Sequence, residues 1–62
     1  MEDPKITQAR RLIMEKFQLK DPDLVLVERV ENEKLVTYSF RENSKRFRVS
    51  FLGEKVIDIF RY

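Results

Sequence analysis

Asn32-Glu33-Lys34-Leu35-Val36-Thr37-Tyr38-Ser39-Phe40-Arg41-Glu42-Asn43-Ser44-Lys45-Arg46-Phe47-Arg48-Val49-Ser50-Phe51-Leu52-Gly53-Glu54 is the stretch that decides the fold. It holds the turn signals Asn32-Glu33, Asn43-Ser44 and Gly53-Glu54, separated by runs rich in β-branched and aromatic residues, which is the pattern of successive hairpins. A two-residue hairpin loop fixes which residues face each other. With Asn43-Ser44 as a loop, Phe40 faces Phe47, Tyr38 faces Val49 and Val36 faces Phe51. With Asn32-Glu33 as a loop, Glu31 faces Lys34, Val27 faces Tyr38 and Val25 faces Phe40, all on the same side. That side collects most of the large apolar residues and is the expected core face, since each such side chain stabilises the fold by roughly 1.5–3 kcal/mol when fully buried.

Upstream, Asp3-Pro4 predicts a helix start, because aspartate caps the free amides and proline at the first helical position sacrifices no hydrogen bond. Ile6, Ala9, Ile13 and Phe17 recur at helical spacing, with Leu12 and Leu19 widening the stripe. Pro22 is the expected stop, since it forces Asp21 into an extended conformation. The reading is therefore a single α+β domain over 1–62. A helix at about 4–19 packs on a four-stranded antiparallel β-meander with strands at about 24–31, 34–42, 45–52 and 55–61.

The last hairpin admits two registers. A Gly53-Glu54 loop suits a type II′ turn, yet taken unbroken it points Asp58 into the core and leaves Ile57 and Ile59 outside. A slip of one residue or a β-bulge turns both isoleucines inward and sets Asp58 beside Arg48. An unpaired buried carboxylate is far more costly than a bulge in an edge strand, so the shifted register is favoured. The face away from the helix then has two ends. One carries Arg41, Arg46, Arg48 and Phe60, with Ser39 and Asp58 nearby. The other carries Val30, Leu35, Leu52 and Val56, with Leu24 and Leu26 lining the first strand. A solvated sheet face normally alternates to polar residues, which makes this apolar surface the most informative functional feature of the chain.

Catalytic chemistry finds little support. Histidine and cysteine are both absent, which removes the usual general base, the thiolate nucleophile and the common transition-metal ligands. One glycine cannot build a phosphate-cradling loop or a dinucleotide fingerprint. Asp21-Pro22-Asp23 offers carboxylates without the further spaced ligands that a hard cation requires, and reads as a helix-stop turn. No cofactor, metal site or enzymatic activity is expected. The absence of cysteine fits a reducing compartment, and no apolar run exceeds Leu24-Val27, so a cytoplasmic protein without membrane insertion is expected. Abundant charge, 39% of residues, together with few thermolabile residues resembles the composition of heat-adapted proteins.

A net charge of +2 does not by itself demand an acidic partner, so only clustering of cations can make that case. Lys5, Arg10, Arg11 and Lys16 spread around the helix and form no stripe. Arg41 opposite Arg46 is different: a like-charged cross-strand pair is unfavourable in isolation and is explained by an anion, an acidic partner or an aromatic ring above it. Phe60 and Tyr62 offer stacking surfaces there. A chain of 62 residues hides only roughly 60% of its unfolded surface, so burial in an oligomer is valuable. The expected function is a non-enzymatic interaction module, a homo-oligomer (dimer) or a binder of a protein partner, using Leu26, Val30, Leu35, Leu52 and Val56. The alternative is nucleic-acid binding through Arg41, Arg46, Arg48 and Phe60.

Overall fold

The computed structural model describes residues 3–20 and 22–62. One helix, α1 (Pro4–Lys16), precedes four strands: β1 (Val25–Asn32), β2 (Leu35–Glu42), β3 (Lys45–Leu52) and β4 (Lys55–Arg61). The strands form one antiparallel sheet in the order β1-β2-β3-β4, the expected α+β meander.

Asp3 opens α1: its Oδ1 accepts the Lys5 amide at 2.9 Å, and Pro4 follows at the first helical position. The C-terminus comes earlier than the proline predicts. Gln18 takes a left-handed φ of 52° and the Leu19 amide donates to the Met14 carbonyl at 3.0 Å, the hydrogen bond of a Schellman cap. The helix therefore closes itself three residues before the expected boundary; Asp21, the residue the proline was to extend, lies outside the described residues.

Ala9 and Ile13 of the helical stripe are fully buried against Val36, Tyr38, Phe40, Phe47, Val49 and Phe51, with Phe17 and Phe47 ring centroids 5.4 Å apart. Polar contacts pin both ends of the helix to the sheet. Lys5 Nζ donates to the Gly53 carbonyl at 2.7 Å, Lys16 Nζ to the Ile59 carbonyl at 3.1 Å, and the Tyr38 hydroxyl to Asp3 Oδ2 at 2.9 Å. Lys5 and Lys16 thus serve docking.

The central hairpin has the expected register: Phe40 opposite Phe47, Tyr38 opposite Val49, Val36 opposite Phe51. The first hairpin does not. Its loop is Glu33-Lys34, with Asn32 opposite Leu35, and this one-residue displacement of the loop slides the pairing by two, so that Tyr38 faces Arg29 instead of Val27. A bulge at Val27 then reverses the faces upstream of it. Leu26 stands opposite Phe40 and packs on the core, and Leu24 is 6% exposed, while Val25 and Val27 are left half-exposed. Leucine carries one more methylene than valine, worth about 0.8 kcal/mol on burial, so the bulge trades two valines for two larger side chains.

In the third hairpin the turn register holds through Phe51–Val56, after which a bulge at Ile57 shifts it to Ser50–Asp58 and Val49–Ile59. The turn and the carboxylate are both accommodated. Asp58 faces outward as expected and Ile59 inward, but Ile57 occupies the unpaired position and stays exposed, and Val56 turns to the core. No helix among the described residues is long and apolar enough to cross a membrane.

Candidate functional site: the outer face of the sheet

Because α1 covers one side, strand alternation delivers an outer face in cross-strand rows. Val25, Arg41 and Arg46 form the first, with Tyr62 beyond the end of β4 bonding through its amide to the Arg46 carbonyl at 2.9 Å. Glu28, Ser39, Arg48 and Phe60 form the second; Val30, Thr37, Ser50 and Asp58 the third; Asn32, Leu35, Leu52 and Lys55 the last. Two expected interface residues leave this surface. Leu26 and Val56 lie on the helix side, packed against the core, because each bulge changes which residues point outward. Val30, Leu35 and Leu52 stay, with Leu35 and Leu52 as a direct cross-strand pair. Val25, Val27 and Ile57, which the sequence reading had turned inward, replace the lost pair.

The exposure pattern is one-sided. Val25, Val27, Val30, Leu52, Ile57, Phe60 and Tyr62 are each about half-exposed, and none of these large apolar residues belongs to the helix. At the centre, Ser50 is buried and its hydroxyl lies 3.2 Å from that of Thr37, a small polar strip between the apolar residues at the edges.

At the other end the expected basic cluster is assembled. Arg48 stands opposite Phe60 and its guanidinium lies 5.4 Å from the Phe60 centroid and 5.5 Å from that of Tyr62, rings that are 5.3 Å apart from each other. Asp58 approaches Arg48 at 3.8 Å, beyond hydrogen-bond reach, and the buried Nε of Arg48 has no hydrogen-bond acceptor among the described residues. Stacking on the two rings and Coulomb attraction to Asp58 hold this guanidinium. Arg41 and Arg46 face each other with no carboxylate within 4 Å among the described residues. Glu42, a candidate neutraliser, instead accepts the Asp23 amide at 3.2 Å. Between the β1 bulge and the start of β3 this end hollows into a concavity of about 340 Å³, lined by Val27, Glu28, Ser39, Arg41, Arg46 and Tyr62 among others.

No protein-family model, no curated protein and no solved structure matches the chain.

Proposed function

We propose that this chain is a small non-enzymatic interaction module that self-associates through the outer face of its sheet, the occupant being a second copy. The supporting observation is the one-sided exposure of large apolar residues on that face. Three strands of 8 residues and one of 7, spaced about 4.8 Å apart with a rise of about 3.3 Å per residue, give a face of roughly 490 Å². Two such faces together bury about 1,000 Å², at the low end for specific association, so the dimer is weak and exchanging. The cysteine-free composition suits action in the reducing cytoplasm.

Light scattering at high micromolar concentration tests this reading: it expects a mass approaching twice the monomer, falling on dilution. Leu35→Lys should weaken assembly, while Arg11→Glu on the exposed helix surface should not. A monomer mass at high concentration with the fold intact contradicts it.

A second reading is favoured by the Arg48–Phe60–Tyr62 stack beside Arg41 and Arg46: this end of the same face binds nucleic acid, as aromatic surfaces among cations do.

A further inference from the structure

We propose that the concavity at the Arg41–Arg46 end accepts one nucleotide of a single-stranded nucleic acid, its phosphate on the two arginines and its base on Tyr62. The inference rests on the second reading of the face and assigns that reading a definite pocket. Its size is the first argument. About 340 Å³ lies at the small end of ligand sites and suits a single nucleotide rather than a peptide helix or a duplex.

Charge is the second. Arg41 and Arg46 repel each other across β2 and β3, and no carboxylate lies within 4 Å of either among the described residues. An anion bridging them removes the repulsion and gains charge-assisted hydrogen bonds. Arg48 is already engaged by two rings and Asp58, so it positions Tyr62 and leaves phosphate contact to the other two.

The remaining lining favours nucleic acid over an acidic protein segment. Tyr62 lines the concavity beside Arg48 and Phe60, which offers its exposed ring as a stacking surface. Glu28 and Ser39, opposite each other in the same lining, add a carboxylate acceptor and a hydroxyl. A carboxylate in the wall accepts a hydrogen bond from an exocyclic amino group, such as N4 of cytosine, a donor that an acidic side chain lacks. Phosphate clamp, ring and amino acceptor together describe a nucleotide.

Anisotropy of labelled oligo(dC) and oligo(dT), titrated with the full chain at low salt, tests the assignment. We expect oligo(dC) to bind more tightly than oligo(dT), and the single phosphate held by the two arginines to give a log–log salt slope of about −0.7. Arg46→Glu should abolish binding, and Tyr62→Ala should weaken it about 5- to 160-fold, the worth of one stacked base. Both side chains are exposed, so unchanged thermal unfolding should accompany both losses. If wild type and both variants bind equally, the pocket is wrong although nucleic acid still binds elsewhere on the chain. If no oligonucleotide binds, the second reading falls with it. Equal affinity for the two oligonucleotides overturns the part given to Glu28, and displacement by an acidic peptide as effective as by oligonucleotide shows that the arginines read carboxylates instead.

Discussion

Asp3, Tyr38 and Arg29 form a short polar chain joining the start of the helix to the first two strands. The Lys5 amide, and after it the Tyr38 hydroxyl, hold the Asp3 carboxyl below its ordinary 3.8. Burial, and after it the hydrogen bond to the Asp3 carboxylate, pushes the Tyr38 phenol above 10.0, while its hydroxyl raises the Arg29 guanidinium. The two shifts act at opposite ends of the pH scale. A depressed carboxyl contributes stability that is present above its unfolded value and is lost as pH falls through the folded one. A raised phenol contributes stability that is complete below 10.0 and is lost as pH rises through its folded value. Urea unfolding across pH should therefore show the Asp3→Asn variant with a shallower acid decline than wild type, and Tyr38→Phe with a shallower decline at the alkaline end. Parallel profiles for all three proteins contradict the assignment.

The first residue of every hairpin loop has positive φ: Glu33 at 57°, Asn43 at 56° and Gly53 at 65°, and Gln18 in the helix cap joins them at 52°. Side chains other than asparagine and glycine are costly there by roughly 1–2 kcal/mol. Glu33→Gly and Gln18→Gly should each stabilise the fold by about 1 kcal/mol, and Asn43→Gly by much less. Gly53→Ala should destabilise it by a similar amount through the backbone alone, as nothing lies within 4 Å of a new Cβ. Urea midpoints decide this; a larger gain at Asn43 than at Glu33 contradicts it. These same positions explain what the sequence could reveal. The central hairpin was legible because Asn43, the residue that tolerates positive φ, does occupy the first loop position. The first was misplaced because Asn32 carries that signal while Glu33 takes the conformation, so residue type did not mark the first position of the loop. Asp58 revealed that β4 must shift, since a carboxylate has to face water. It gave no sign of where the bulge falls, so Ile57 and Val56 changed places relative to the even pattern.

At the scale of the whole molecule, one helix covers one side of a sheet that has two. The arginine cluster survived the misread first hairpin because Arg41, Arg46 and Arg48 belong to the central hairpin, whose register was correct. The apolar membership changed more, because it depended on both edge strands, where the bulges lie. Covering Leu35, Leu52 and the exposed valines with a second copy is the central claim. Backbone amide shifts recorded from tens of micromolar to millimolar chain test it most directly, because they report which surface responds as well as whether one does. The account predicts concentration-dependent shifts at Val30, Leu35 and Leu52 and their strand neighbours, with the exposed residues of Pro4–Lys16 unmoved. Shifts confined to the helix, or none anywhere over that range, would contradict it.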